Sequence, residues 1–270
     1  MSDLWPRIEP LLAKVEKPAR YIGMERGSRQ PAWAPSKAAW LLIYPDTYEI
    51  GLPNQGLQIL YEILNERPDA VAERSYAPWT DLAAHLRARG IPLFSVDTHR
   101  PATDFDVLAF NLSAELVFTN VLELVDLAGV PVRNADRRPE HPIVLAGGHS
   151  AFNPEPLADY VDAFVIGEGE EVVAEITEVI GAWKRGGRAD RDAVLHELAT
   201  IPGVYVPSRP PKFGAIERQW MHDIGASEAL EGRVQVVESL ALHKDGSDFR
   251  ADTALRPSFF DVDDPVGLHN

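Results

Sequence analysis

Four short stretches of this sequence carry residue types that hold ligands, and each one directly follows an apolar run. They are Asp46-Thr47-Tyr48 with Gly51, then Ser113, then Gly147-Gly148-His149, and finally Gly167-Glu168. Paired glycines permit positive φ and let the backbone approach a flat ligand or a phosphate closely, although they also suit a tight turn. A tyrosine oxygen is a weak metal ligand unless it is deprotonated, and its ordinary pKa is about 10. These stretches indicate ligand binding, and they contain no catalytic residue.

Several kinds of catalytic site are excluded. The chain contains no cysteine, so disulfides, thiolate zinc sites, iron–sulfur clusters held by cysteine and cysteine nucleophiles cannot form within it. No nucleophile elbow, dinucleotide-binding glycine motif or phosphate-binding loop of the Walker type is present. The histidines do not have metal-ligand spacings, and His149 alone lies at an expected ligand edge. An independent hydrolase or dehydrogenase is therefore disfavoured.

Charge and hydropathy limit the binding partners and the cellular location that we expect for this protein. The 270 residues include 26 Lys and Arg against 41 Asp and Glu, a net charge of −15 that disfavours binding to nucleic acid or anionic lipid. No run approaches the roughly 18 apolar residues that a membrane span requires, and the amino terminus lacks the features of a signal peptide. We expect a cytoplasmic protein that binds neither nucleic acid nor membrane.

The pattern along the chain predicts alternating strands and helices. Strands are expected at Ala39–Tyr44, Pro92–Val96, Val107–Leu112, Ile143–Ala146 and Ala163–Ile166. Helices are expected at Gly56–Glu66, Trp79–Arg89, Leu116–Leu127 and Gly169–Arg185. This alternation predicts an α/β fold with a doubly wound parallel sheet of about five strands and helices on both faces. Ligands of such sheets bind at the carboxyl ends of the strands, where the four stretches lie.

The chain divides into three parts by its pattern. Residues 1–38 are expected to form a helix around Leu11–Val15 and an irregular arm, and residues 39–207 form the α/β domain. Residues 208–270 are expected to be an irregular extension with one strand-like segment, Val234–Leu242. The carboxylates of Glu168 and its neighbours begin a helix, where they act as caps or contact a ligand or a neighbouring domain.

The order of the motifs that follow the expected strands resembles the order in cobalamin-binding domains of the methyltransferase and mutase type. Those domains carry Asp-x-His-x-x-Gly after the first strand, a serine after a middle strand and paired glycines after the next. Here Asp46-x-Tyr48-x-x-Gly51, Ser113 and Gly147-Gly148 follow in that order. Tyr48 stands where the histidine would ligate cobalt, so any cobalamin is expected to bind without that lower ligand. Asp97-x-His99-x-x-Ala102 also approximates the first motif, but it follows the second expected strand and ends in alanine rather than glycine. The alternative is that His99 is a polar loop histidine.

A longer stretch resembles the N-terminal cobalamin-binding-like domain of radical S-adenosylmethionine (SAM) proteins. The likeness is carried by Ile143–Ile176 and by shorter motifs in order, among them 17–23, 44–51, 56–61, 64–66, 73–74, 77–79, 105–106 and 201–207. It covers roughly residues 15–207 and implies a Rossmann-like or flavodoxin-like sheet. It also implies that cobalamin is the cofactor, contacted by residues in the four stretches named above.

The resemblance leaves two hypotheses open. Proteins of this family continue into a barrel in which three cysteines hold a 4Fe–4S cluster, and that cluster cleaves SAM. This chain has no cysteine, so it cannot hold such a cluster by cysteine ligation. The chain is then an accessory domain from a truncated or split gene, or a relative without the catalytic half. In the first hypothesis it binds cobalamin. In the second it is a cofactor-free interaction module that docks on a separately encoded radical SAM barrel.

Overall fold

One twisted sheet organises the part of the chain that the structure describes. The computed structural model describes residues 3–25, 28 and 32–209. Its strands are β1 (Ala38–Tyr44), β2 (Ala70–Tyr76), β3 (Val107–Asn111), β4 (Ile143–Gly147), β5 (Ala163–Val165) and β6 (Val204–Tyr205). They lie in the order β2-β1-β3-β4-β5-β6, and β6 alone runs antiparallel to its neighbour. The order of the five parallel strands is that of flavodoxin-like sheets, so the predicted fold class is confirmed.

Helices cover both faces of this sheet. They are α1 (Trp5–Leu12), α2 (Tyr48–Gly51), α3 (Gln55–Glu66), α4 (Thr80–Arg89), α5 (Phe118–Leu127), α6 (Val172–Arg185) and α7 (Arg191–Leu198). Buried side chains of α1, α4 and α5 share one apolar cluster with the sheet, and those of α3, α6 and α7 share another. Within residues 3–25, 28 and 32–209, no helix is long and apolar enough to cross a membrane.

Strand β1 shows why the central strands read as continuous apolar runs. All seven of its residues are buried. Leu41 and Ile43 belong to the first cluster, while Trp40 and Leu42 belong to the second, because successive side chains of a strand point to opposite faces. A strand covered by helices on both faces needs apolar residues at every position.

The prediction of a second strand at Pro92–Val96 is wrong. Residues 92–96 do not join the sheet, and the strand beside β1 is β2, with the sequence AVAERSY. The segment at 92–96 instead runs along the outer side of β2, where the Val96 amide donates to the Arg74 carbonyl at 2.8 Å. It covers an edge that would otherwise expose unpaired backbone groups.

Several predicted boundaries also differ from the structure. The first helix spans Trp5–Leu12 rather than Leu11–Val15, and it buries Ile8 and Leu11 in the main core. The last long helix begins at Val172 rather than at Gly169. Strand β6 lies where the sequence pattern breaks down, and the predicted segment Val234–Leu242 lies outside the described residues.

Two buried carboxylates tie the amino ends of the strands to the helices. Asp106 accepts hydrogen bonds from the Ala39 amide and from Lys184 Nζ, both at 2.7 Å, and also pairs with Arg188. Asp162 accepts from the Val144 amide at 2.7 Å and forms ion pairs with two arginines, Arg137 and Arg191. Each carboxylate therefore joins neighbouring strands to a helix or a loop.

Replacing Asp162 should destabilise the domain strongly. Asp162→Ala leaves two buried guanidinium groups without their carboxylate, and breaking a buried ion pair from one side costs about 3–5 kcal/mol. Asp159→Ala is the matched control, because the side chains of Asp159 and its partner Arg133 are 73% and 59% exposed. That change should cost less than about 1 kcal/mol. Urea denaturation measures both values, and equal losses would contradict the role given to Asp162.

Candidate functional site

A cavity of about 170 Å³ opens at the carboxyl ends of β3, β4 and β5, on the face covered by α3 and α6. Five glycines contribute to its wall: Gly56, Gly147, Gly148, Gly167 and Gly169. Apolar side chains from the strands and from both helices, including Trp40, Leu60, Leu145 and Val165, complete it. We call this space the glycine cavity.

The position of the glycine cavity follows from the topology. The chain leaves β1 toward β2 on one side and later returns to β3 on the other, so the winding direction reverses between β1 and β3. The loops after these two strands diverge and leave a crevice, which is where doubly wound sheets bind ligands. Residues of β1 and β3 line the cavity, together with residues of β4 and β5.

The fold requires a glycine at position 148 but not at position 147. Gly148 has φ of 100°, and a Cβ there would lie 3.1 Å from the Leu112 carbonyl oxygen. Its backbone conformation therefore excludes other residues. A Cβ on Gly147 would meet only ordinary van der Waals distances, 3.6 Å from Val165 Cβ. A side chain at position 147 fits the fold, but it would occupy part of the cavity wall.

Amide side chains border the cavity where β3 ends. Asn111 lines the cavity, and its Nδ2 donates to Asn54 Oδ1 at 3.3 Å. Asn54 caps α3, because the same oxygen accepts from the Leu57 amide at 2.9 Å. Ser113 donates to Asn111 Oδ1 at 2.7 Å, so this predicted site residue acts on the cavity through Asn111.

Of the described residues, Glu168 and Glu170 are the charged ones in the cavity wall, and no lysine, arginine or histidine among them lines it. Both glutamates come from the loop between β5 and α6. Trp40 is also part of the wall, and its buried indole N–H has no hydrogen-bond partner in the described part of the chain. The cavity is therefore apolar in its depth and acidic at the loop between β5 and α6.

Tyr48 faces a network of charged residues and lies outside the cavity. Its hydroxyl donates to Glu25 Oε1 at 2.8 Å, and its ring meets the ring of Tyr76 edge-on at 5.2 Å. Glu25 also pairs with Arg74, whose guanidinium lies 2.7 Å from Asp97. Burial and the hydrogen bond to Glu25 hold the pKa of Tyr48 well above its ordinary value. The phenol stays protonated, which makes its oxygen a poor metal ligand.

Glu25 is the anionic member of this contact. Burial by itself would raise the pKa of Glu25, but the hydrogen bond from Tyr48 and the charge of Arg74 outweigh it. The pKa of Glu25 therefore lies below its ordinary value, and the group is ionised at neutral pH. Burial also raises the pKa of Tyr76 to about 12, so both tyrosines are neutral.

Gly51 has a packing role in the structure. A Cβ at this position would lie 2.5 Å from Tyr76 Cδ1 and 2.8 Å from Tyr44 Cβ, both closer than real contacts allow. The residue lies in the short helix α2 and is buried. Its spacing from Asp46 therefore reflects how α2 packs onto the tyrosines of β1 and β2.

Asp46 and Thr47 line a second cavity, of about 160 Å³, on the opposite face of the sheet. Pro78, Trp79, Asn120 and Glu123 contribute to the same wall, which we call the Asp46 cavity. Asp46 Oδ1 accepts a hydrogen bond from the Thr47 amide at 2.6 Å, so the carboxylate also shapes its own turn.

The two loop histidines of interest do not reach either cavity. His149 is exposed and its ring lies 6.4 Å from that of Phe152. His99 packs 4.5 Å from the ring of Trp5, and its Nε2 lies 2.9 Å from the Tyr21 carbonyl oxygen, which is a structural arrangement. Among the described residues, no group of three or more histidines and carboxylates is placed to hold a metal ion.

The predicted site residues thus separate into groups. The structure brings Gly147, Gly148, Gly167 and Glu168 together in the glycine cavity, with Ser113 joined to it through Asn111. Asp46 and Thr47 lie on the opposite face, and Tyr48, Gly51 and His149 line neither cavity. The sequence interpretation missed Asn111, Gly56 and Gly169. Asn111 gave a signal, since it is a polar residue inside an otherwise apolar strand.

Comparison with known proteins gives one match. The family model described as "Radical SAM proteins, N-terminal" matches residues 56–207, which is more than half of the chain. No curated protein and no solved structure has a significant match to the chain. The matched region begins at the start of α3 and ends just after β6, so it includes most of the glycine cavity.

Substitution of Gly51 and of Gly56 should have opposite effects. Gly51→Ala forces a methyl group onto two buried tyrosines and should cost about 1–3 kcal/mol of unfolding free energy. Gly56→Ala is the control, because a Cβ there is 3.6 Å from its nearest neighbour and the residue lies in α3. It should gain up to about 1 kcal/mol. Chemical denaturation measures both, and a neutral Gly51→Ala would contradict the packing role.

Proposed function

The chain belongs to the family of N-terminal domains of radical SAM proteins, and we propose that it is a cobalamin-binding accessory domain of that type. The observation that carries the proposal is the glycine cavity, which lies beside the reversal of strand order in a family-matched α/β domain. Gly147, Gly148, Gly167 and Glu168 are the predicted cofactor-binding residues that line it. Ser113 acts through Asn111.

The dimensions of the cavity support a flat ring as occupant. A cavity of roughly 150 Å³ with apolar walls is known to hold a molecule of the size of benzene, and the glycine cavity has about 170 Å³. Gly147 and Gly169 leave space that a Cβ would reduce, since their added methyl groups would point at Val165 and Leu60. The residues present therefore fit one aromatic ring of a cofactor, and a corrin macrocycle, which is several times larger than such a ring, would lie over the mouth of the cavity.

The chain offers no tyrosinate to cobalt at position 48. The Tyr48 hydroxyl keeps its proton and donates a hydrogen bond to Glu25, so we propose that cobalamin binds here without a protein ligand from this loop. When bound, cobalamin supplies cobalt chemistry such as the transfer of a methyl group. The role of the chain is to hold the cofactor at the sheet edge and to exclude water from the apolar cavity wall.

A radical SAM barrel is the partner that the family membership suggests. The 270 residues contain no cysteine, so they cannot hold a 4Fe–4S cluster by cysteine ligation. We propose that the cluster and the SAM site belong to a barrel that meets the carboxyl edge of this sheet. A cytoplasmic location is part of the proposal and rests on the acidic, cysteine-free composition.

Exposed apolar side chains favour a second candidate function, a cofactor-free interaction module. Ile50, Trp79, Leu116 and Phe152 are large, exposed and apolar, and they follow β1, β2, β3 and β4 respectively. Leu116 is 91% exposed. Apolar residues gathered at one edge are typical of a docking surface. The two functions share this edge, and cofactor binding separates them.

Retention of hydroxocobalamin tests the first function. The full chain should keep the corrin absorbance through gel filtration, because the cofactor is held at the glycine cavity. Gly147→Val should lose most of that absorbance, since its side chain fills the cavity wall at a position where the fold accepts a Cβ. A wild-type protein that elutes without colour would contradict cobalamin binding and favour the interaction module.

Tyr48→Phe is the control in the same experiment. It removes the hydroxyl without touching the cavity, so the corrin should still co-elute and its cobalt spectrum should match that of the wild-type complex. A changed spectrum would mean that Tyr48 contacts the metal.

A further inference from the structure

We infer that the indole N–H of Trp40 is a hydrogen-bond donor to the ligand of the glycine cavity, and that this ligand presents a carbonyl oxygen on a planar group. The inference rests on the proposed function, because it takes the same cavity as the ligand site. It adds the residue that selects the ligand and the chemical class that this residue selects.

Trp40 brings a buried donor without an acceptor to the cavity wall. Its side chain forms part of the wall, and the residue is 1% exposed. No described residue accepts a hydrogen bond from its Nε1. Leaving a buried N–H unpaired is costly, and native proteins rarely do so. The unpaired donor therefore indicates that the wall lacks a partner which an occupant of the cavity can supply.

The neighbours of Trp40 in the sheet do not provide the acceptor. In the register of the strands, Ala72 of β2 and Val107 of β3 lie beside Trp40, and both are buried and apolar. The backbone groups of these strands are used by the parallel ladder that joins them. The cavity is the unfilled space that Trp40 borders, so the acceptor is expected to come from there.

A water molecule would be a poor substitute for a ligand at this place. A buried water typically makes about three hydrogen bonds. The apolar side chains of the wall, among them Leu42, Leu57, Val173 and Ile176, offer it none. A carbonyl oxygen is satisfied by the one donor, while the rest of its molecule contacts the apolar wall.

Asn111 offers a second donor at the other end of the cavity. Trp40 is level with Val107, the first residue of β3, whereas Asn111 is the last, so the two levels are about 13 Å apart along the strand. Trp40 therefore belongs to the deep end and Asn111 to the mouth. One hydrogen of Asn111 Nδ2 is directed to Asn54, and the amide group carries a second one.

These positions limit which part of a ligand reaches Trp40. For a corrinoid whose ring lies over the mouth, the carbonyl oxygen would belong to a peripheral group such as a carboxamide, because the ring itself stays outside. The class of group that fits the deep end is thus a ketone or an amide on a planar frame.

Two probes of the same shape test this inference on the full chain. Acetophenone carries a carbonyl oxygen, and α-methylstyrene has a methylene group in its place. In NMR spectra of the tryptophan indole N–H groups, saturating acetophenone should move the Trp40 proton downfield, because the proton then lies in a hydrogen bond. α-Methylstyrene should bind without that downfield shift, since it has the ring but no acceptor. Loss of the signal in Trp40→Phe assigns it.

Trp183 is the matched control within the same spectrum. Its indole N–H is also buried and has no acceptor among the described residues, but Trp183 lies on α6 and does not line the cavity. Its signal should stay in place with both probes.

Replacing Trp40 shows whether its N–H causes the selectivity. Trp40→Phe keeps an aromatic ring and removes the donor, so the affinity for acetophenone relative to α-methylstyrene should fall about fivefold. The difference in hydrophobicity between the probes cancels when this ratio is compared between the two proteins. Trp183→Phe should keep the wild-type ratio. If Trp40→Phe does not fold, the two probes on the wild-type protein decide alone.

The outcomes separate this inference from the proposed function. Equal Trp40 shifts with both probes, no binding of either probe, or an unchanged affinity ratio in folded Trp40→Phe would overturn the inference, even if hydroxocobalamin is retained. A downfield shift specific to acetophenone in a protein that does not retain hydroxocobalamin would support the inference and contradict the cobalamin function.

Discussion

The buried carboxylate of Asp106 fixes the elements on which the glycine cavity depends. It accepts hydrogen bonds from the Ala39 amide in β1 and from Lys184 in α6, and it precedes β3 directly. Three of the elements that line the cavity are therefore joined at the amino edge of the sheet. Parallel strands that are held in register at one end must present their loops together at the other end. Removing one partner of such a buried group costs about 3–5 kcal/mol, so the arrangement is strongly held.

The buried ion pairs that stabilise the fold and the cavity proposed to bind a ligand lie at opposite edges of the sheet. Cations are placed at the amino edge, where Asp106 and Asp162 use them to connect strands with helices and loops. The carboxyl edge carries the glycines of the cavity, apolar side chains and carboxylates, and one of these carboxylates, Glu49, is paired with Lys17 and Arg20. Within the radical SAM family, we propose that this edge holds a planar cofactor and faces a barrel.

Much of the fold could be predicted from the sequence, because buried parallel strands need apolar residues on both faces. β1, β3, β4 and β5 were found on that basis. Strand β2 was missed because Glu73 and Arg74 interrupt its apolar pattern, and no local signal shows that Arg74 pairs with Asp97 and that Glu73 meets Thr98. Only the tertiary structure supplies those partners.

The candidate site was predicted in part, for a similar reason. Glycines at the end of β4 and after β5 mark a close approach of the backbone, and the predicted Gly147, Gly148 and Gly167 all line the cavity. The spacing from Asp46 to Gly51 suggested a cofactor loop, but Gly51 is required by the ring of Tyr76 and the Cβ of Tyr44. Which face of the sheet a loop residue joins depends on the path of the loop after the strand. The sequence pattern does not determine that path.

Amide chemical-shift mapping with hydroxocobalamin tests the central claim most directly. The account predicts that saturating cofactor shifts the backbone amides of Asn111, Gly147, Gly148 and Gly167, which come from three different loops and strand ends. Amides at the amino edge, such as those of Ala39 and Val144, should remain unchanged. Shifts confined to Asp46 and Thr47 on the opposite face, or no shifts at saturation, would contradict the assignment of the glycine cavity as the cofactor site.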